Sequence, residues 1–288
     1  MLGKLNIIGC GVVGKTLGAL WNESSVFAIQ DICNQSEASG SAAVGFIGAG
    51  KVVASLDSVS AADVMAITVS DDAIENVASR LISSGAITPG VIIFHCSGAL
   101  SSEILSDLRS FGANVASAHP VKSFSDLEES RRSFPGTKIA IEGDDQAVEL
   151  LSRAFEAIGG VVFRIDPSAK MFYHTGLVFA CNYLTALMEC AVETCGKAGL
   201  NRTDSLALMQ PLVRETIEAI FARGTEGALT GPVARGEAQV VSKQLELLRE
   251  WKGEFASLYS GLGRIALDIA ERKETANAER LAKLREII

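Results

Sequence analysis

Positive charge is scarce in this chain. Twenty-six Lys and Arg stand against 34 Asp and Glu, a formal net charge of −8 over 288 residues, and the isoelectric point is near 5.1. That balance excludes a nucleic-acid or anionic-membrane partner, since both require a basic face that displaces counterions. A small anionic ligand needs only a local cation and stays in play. Histidine is rarer still, with three in all, His95, His119 and His174. The six cysteines, at positions 10, 33, 96, 181, 190 and 195, form no CxxC pair and no regular framework. They read as free thiols of a reducing, cytoplasmic protein rather than as a disulfide scaffold. No signal peptide is expected either, because the apolar run after Lys4 ends at once in glycines.

What the chain has in quantity is apolar surface: 48% of residues are hydrophobic and the mean hydropathy is +0.28. Residues 171–188 contain no Asp, Glu, Lys or Arg, which is long enough to cross a bilayer. His174, Thr175, Asn182 and Thr185 interrupt them, however, and each would cost several kcal/mol against lipid. The expectation is a buried helix of a soluble domain that roofs a ligand crevice.

The first 166 residues alternate short β-branched runs with helical patterns, as in a doubly wound parallel sheet. The runs are Lys4–Cys10, Val26–Cys33, Val52–Ser55, Val64–Val69, Val91–Cys96, Asn114–Ala118, Lys138–Glu142 and Val161–Asp166, with helices over Asp71–Ser83, Ser101–Phe111 and Asp144–Ile158. Beyond them no comparable strand appears. The division is therefore an α/β domain over 1–166 and an all-α domain over 167–288. Asp166 and Pro167 suit the N-cap and first position of a long helix, and Glu271–Ile288 reads as a charged, solvated packing helix.

Gly9, Gly11 and Gly14 form GxGxxG directly after the first strand and ahead of a helix over Lys15–Asn22. In that context the backbone of Gly9, Cys10, Gly11, Val12, Val13 and Gly14 cradles a pyrophosphate at a helix N-terminus. At the tip of the second strand, Asn34, Gln35 and Ser36 offer polar groups to a ribose 2′-phosphate, while Asp31 falls inside the strand. No Arg stands at Gln35. The balance favours NADP over NAD. In an open sheet ligands lie beyond the carboxyl ends of the strands, so Val69, Ser70, Asp71 and Cys96 should also face the cofactor, although Asp71 or Asp72 equally suits a helix N-cap.

His95 and His119 close neighbouring strands and should open onto one crevice, with Ser97, Lys122 and Ser123 beside them. Lys170 and His174 lie four apart on one helical face, where the ammonium would favour a neutral imidazole. Asn182 lies roughly 12 Å further along the axis and would hold a different part of the substrate. Arg235, in Leu229–Glu237, offers a planar fork for a carboxylate. A metal site is not expected, since His95, Cys96 and His119 lack ligand spacing.

Taken together, the glycine fingerprint, Thr68–Ile74 (TVSDDAI), His95–Leu100 (HCSGAL), His119–Phe124 (HPVKSF), Tyr173–Tyr183 (YHTGLVFACNY) and Leu229–Glu237 (LTGPVARGE) resemble a family of Rossmann-like proteins with a DUF2520 domain. That family looks like a branch of the 6-phosphogluconate dehydrogenase and ketopantoate reductase superfamily. The resemblance covers nearly the whole chain. It implies a Rossmann-like sheet followed by a helical substrate and dimerisation domain of the 6-phosphogluconate dehydrogenase C-terminal type. It also implies an NAD(P)H-dependent reductase of a small anionic 2-keto acid, ketopantoate first; a homodimer is expected separately, because oily helices beyond the active-site helix need covering. His174 or Lys170 would supply the proton, and Ser97, His119, Asn182 and Arg235 would orient the acid. The superfamily's Lys-x-x-x-Asn pair is altered here to Lys170 and His174. Prephenate-type oxidation, suggested by His119-Pro120, imine reduction of a pyrroline-carboxylate type and non-catalytic NAD(P) sensing are the alternatives.

Overall fold

A computed structural model of the chain describes residues 1–273 and 277–288. Among these, eight strands form one sheet: β1 (Lys4–Ile8), β2 (Ala28–Cys33), β3 (Lys51–Val53), β4 (Val64–Ile67), β5 (Ile92–His95), β6 (Asn114–Pro120), β7 (Lys138–Gly143) and β8 (Val161–Arg164). Their spatial order is β3-β2-β1-β4-β5-β6-β7-β8, so the chain winds outward from β1 in both directions. Strand alternation supplies two cores. Leu5, Ile7, Ala66 and Phe94 face one side of the sheet, while Ile8, Met65, Ile67 and Ile93 face the other. Both faces are therefore apolar, as a helix-covered sheet requires.

Helices α1 (Val12–Glu23), α2 (Glu37–Ile47), α3 (Ile74–Ser84), α4 (Leu127–Arg132) and α5 (Asp145–Glu156) accompany the sheet. Trp21 of α1 anchors the first core: it is fully buried, packs edge-on against Phe155 of α5 at 5.3 Å between ring centroids, and its indole N–H donates to the Ala154 carbonyl at 3.0 Å. On the other face, Val77 and Leu81 of α3 join the second core.

The sheet departs from the expected all-parallel winding at one place: β7 runs antiparallel to β6. The connection, residues 121–137, carries only the six-residue α4, about 9 Å of helix, and returns the chain at the Pro120 end of β6, where the Val121 N–H donates to the Lys138 carbonyl at 2.8 Å. The expected α-helix over Ser101–Phe111 is a 3₁₀ segment, Ser102–Phe111, that buries Ser102, Leu105 and Leu108, a spacing of three that suits its three residues per turn.

The compact units are Met1–Ala180 and Cys181–Ile288, a division later than Asp166–Ser168. Asp166 does cap the following turn, accepting from the Ser168 N–H at 2.8 Å. Yet α6 (Lys170–Leu177) belongs to the first unit, because Lys170 inserts its side chain into the sheet. A π-helical turn, Val178–Asn182, leads to α7 (Tyr183–Lys197). The second unit continues with α8 (Arg202–Ala228), α9 (Gly231–Ala234), α10 (Ala238–Trp251), α11 (Gly253–Lys273) and α12 (Ala278–Arg285).

Two expectations for the helical part are overturned. The uncharged stretch is not a buried helix of the single chain: the run Pro167–Lys197 is long and apolar enough to cross a membrane, but only 6% of its apolar window is buried, with Phe172 84% and Met171 56% exposed. The charged tail is not one helix, since α12 starts at its own N-cap, Asn277, which accepts from the Glu279 N–H at 2.8 Å; residues 274–276 lie outside the described residues. Its packing role does hold for α12, which buries Leu281 and Leu284, with Ile288, against Val241 and Leu267.

Candidate active site

The turn after β1 is shaped by its three glycines in different ways. Gly9 takes φ +76° and lies against Val69, and Gly14 lies against Thr68 and Ile7, so neither leaves room for a side chain. Gly11 is open: an added Cβ would meet only the Gly9 carbonyl oxygen, at 3.9 Å. Helix α1 begins there without a side-chain cap, which leaves the N–H groups of Val12, Val13 and Gly14 as the orphan donors of its first turn. An unobstructed backbone beside unspent donors and the positive end of a helix dipole fits a pyrophosphate.

The surrounding polar side chains mostly brace this turn. Asn34 accepts from the Cys10 N–H at 2.7 Å and donates to the Cys10 carbonyl at 3.4 Å, tying the β2 tip to the glycine loop. Ser36 caps α2 by accepting from the Ser39 N–H at 3.2 Å, and Gln35 is exposed. Ser70 is exposed and Val69 half-buried. Asp31 is fully buried, accepts from the Ser60 N–H at 2.7 Å and lies 3.4 Å from Lys51. Asp71 accepts from the Ser97 hydroxyl at 2.8 Å, joining the loops after β4 and β5; it caps no helix by side chain. Burial pushes the Cys10 and Cys96 thiols up to about 12, so both are inert packing groups.

Beyond β5 and β6 the structure gathers a second cluster. His95 does not open onto a crevice. It is 0% exposed, Nδ1 accepts from the Ser97 N–H at 3.2 Å and Nε2 lies 3.2 Å from the Ser101 carbonyl. Ser97 in turn accepts from the Ala99 and Leu100 N–H groups. These bonds fold Cys96–Leu100 so that Gly98 reaches the other two histidines. A Cβ on Gly98 would stand 2.6 Å from His174 and 2.9 Å from Nε2 of His119; the two rings meet edge-on with centroids 6.2 Å apart. Tyr173 completes the group, its hydroxyl 2.9 Å from Nδ1 of His119.

Beneath them lies a sealed ion pair. Ser117 and Glu142 are directly opposed on β6 and β7, and Lys170 reaches both: its ammonium donates to Ser117 and lies 3.5 Å from Glu142, each charged side chain 1% exposed. Glu142 is satisfied on its other side by the Ser102 N–H at 2.8 Å and hydroxyl at 2.6 Å. Burial lowers Lys170 to about 8 against the opposing pull of Glu142. Burial, reinforced by the Lys170 charge, lowers His95 to about 3 and His119 to about 4. The ammonium thus acts on the strand histidines.

Ser97, His119, Lys170 and His174 are therefore brought together, with Lys170 beneath the surface of the cluster. Lys122 is turned away, donating to the Ser133 hydroxyl at 2.8 Å. Asn182 and Arg235 fall in the second unit; Asn182 is exposed, and the Arg235 fork is engaged by Glu237 at 2.7 Å. Tyr173, Glu142 and Gly98 were missed by sequence reasoning. Glu142 did carry a signal, a lone acid in the apolar strand Lys138–Gly143. Among the described residues no group of three or more metal-ligating side chains occurs.

Residues 2–120 match the Rossmann-like domain family and residues 137–265 match a domain of unknown function, DUF2520. The chain thus joins a Rossmann-like domain to a DUF2520 domain. It is similar to the protein TM1727 from Thermotoga maritima, with 27% identity and TM-score 0.75 over 93% of this chain and 99% of that one. It is also similar to a proposed NADP oxidoreductase, BF3122 from Bacteroides fragilis, with 19% identity and TM-score 0.73 over 93% and 98%. An imine reductase from Myxococcus stipitatus in complex with NADP+ superimposes with TM-score 0.66 at 14% identity, over 98% and 99%. No curated protein matches the sequence.

Proposed function

We propose that the protein is a soluble, cytoplasmic NAD(P)H-dependent oxidoreductase that reduces a small anionic 2-keto acid, ketopantoate being the leading candidate. One observation carries the reading: the open backbone at Gly11 and the His119–Tyr173–His174 cluster both lie beyond the carboxyl ends of strands of one sheet, where open α/β sheets bind ligands. When bound there, a nicotinamide cofactor supplies the hydride. The chain's own part is to hold the diphosphate on the first turn of α1 and to polarise the carbonyl from the histidine cluster. His174, half-buried and against Gly98, is better placed than Lys170 to donate a proton, since the ammonium is enclosed by Glu142 and Ser117.

NADP is the proposed cofactor. Its support is the polar turn Asn34-Gln35-Ser36 at the end of β2, where the ribose of a dinucleotide would lie. Asn34 and Ser36 are engaged within the chain, so a 2′-phosphate would rely on the exposed Gln35 of that turn. The test is NADPH oxidation across a panel of 2-keto acids and cyclic imines. Turnover of a keto acid supports the reading, turnover of imines alone moves it toward the chemistry named for the Myxococcus stipitatus enzyme, and absence of NADPH binding ends it. The proposed working form is a homodimer, which would cover exposed apolar side chains such as Phe172 and Phe221.

A further inference from the structure

We infer that Tyr173 is a positioning residue for His119: its hydroxyl donates to Nδ1 and thereby holds the imidazole as the Nε2–H tautomer, a neutral donor presented at the Cys96–Leu100 loop. The inference rests on the oxidoreductase reading, which gives that donor a carbonyl or imine to polarise.

The geometry assigns the two ring nitrogens different tasks. Nδ1 lies 2.9 Å from the Tyr173 hydroxyl, and the rings stand edge to face with centroids 5.9 Å apart. The Cε1–Nε2 edge lies against Gly98, where even a methyl group would come within 2.9 Å. Gly98 therefore keeps the Nε2 side clear at the ligand edge of the sheet. Phe163 backs the tyrosine ring at 6.4 Å, so the phenol is held in place rather than free to follow His119.

A neutral imidazole has one N–H for two nitrogens, and the partner of one decides the state of the other. The phenol is the more acidic member of this pair, which makes it the donor and Nδ1 the acceptor. The groups facing His119 are Tyr173, His174 and the Lys170 ammonium; Lys170 is itself faced by Glu142, Asp71 and Cys96. Burial and the ammonium keep the ring uncharged down to about 4, while burial raises Tyr173 to about 12, so its proton stays on oxygen. A neutral imidazole used as a donor, with its charge suppressed by its surroundings, is an established way to polarise a carbonyl.

The test is nitrogen-15 NMR of the imidazoles in the full chain near neutral pH. With three histidines in the sequence, the His119 signals are identified by their loss in His119→Gln. A protonated Nε2 and bare Nδ1 in the wild-type protein, turning into a mixed population in Tyr173→Phe, is the expected result. A protonated Nδ1 in the wild type, or an unchanged tautomer in Tyr173→Phe, overturns the inference. If Tyr173→Phe does not fold, the wild-type spectrum alone decides. The outcome is separable from the functional reading, because NADPH titration of the same wild-type sample tests cofactor binding independently.

Discussion

At the scale of single residues, the most consequential group in the first unit is the Lys170–Glu142 pair. Removing one partner of a buried pair strands the other charge at a typical cost of about 3–5 kcal/mol. Lys170→Met is expected to lose roughly that much in urea unfolding, whereas Lys170→Met with Glu142→Leu should recover most of it; a double variant as unstable as the single would show that the pair is not coupled. The buried histidines set a pH dependence. His95 and His119 have folded pKa values of about 3 and about 4 against an ordinary 6.5, so the unfolded chain takes up protons that the native protein refuses. Their contribution is intact above pH 6.5 and is lost as pH falls toward 4, at up to about 1.4 kcal/mol per pH unit for each proton. Unfolding free energies measured between pH 4 and 6.5 should show this slope, and His95→Gln should reduce it by about one proton's share; an unaltered slope would count against a neutral, buried His95.

At the scale of elements, the strand–turn–helix of β1 and α1 separates binding from folding. Gly14 and Gly9 are packed against neighbours, but Gly11 faces open space, so Gly11→Val should leave the thermal midpoint unchanged while weakening NADPH binding at least about tenfold, the loss of one good contact. Fluorescence titration beside a thermal scan checks both halves, and unimpaired binding would move the cofactor elsewhere. Much of this element level was legible in the sequence. Runs such as Val64–Val69 and Val91–Cys96 announced strands because a sheet covered on both faces needs continuous apolar segments. The antiparallel β7 was not legible, since strand direction depends on how far a connection reaches. The site was half legible: glycines and scarce histidines stand out by type and position, but Tyr173 meets His119, and Lys170 meets Glu142, through contacts between a helix and strands that no local spacing records. Pairing within the chain also took candidates away, as with Asn34 on Cys10 and Arg235 on Glu237.

At the scale of the whole molecule, hydropathy identified apolar segments without identifying what covers them. Phe172 is 84% and Phe221 86% exposed, and Leu206, Leu208, Leu212 and Ile220 add further apolar surface along α8. In the second unit, α7 and α8 border an open groove of about 590 Å³ lined by Leu184, Met188, Leu206, Val213 and Arg214 among others. Exposed apolar surface spread over successive helices marks an interaction site in a stable protein. A bilayer is a poor occupant, because Lys170 is tied to Glu142 and α8 carries Arg202, Asp204, Arg214, Glu215 and Glu218 along its length. A second copy, which brings the same helices to an isologous contact, suits this mixed surface better. Light scattering is expected to give twice the chain mass, and Phe221→Asp should shift the population toward the monomer and make the thermal midpoint depend on concentration. A wild-type monomer across the micromolar range would leave the helical surface to a different protein.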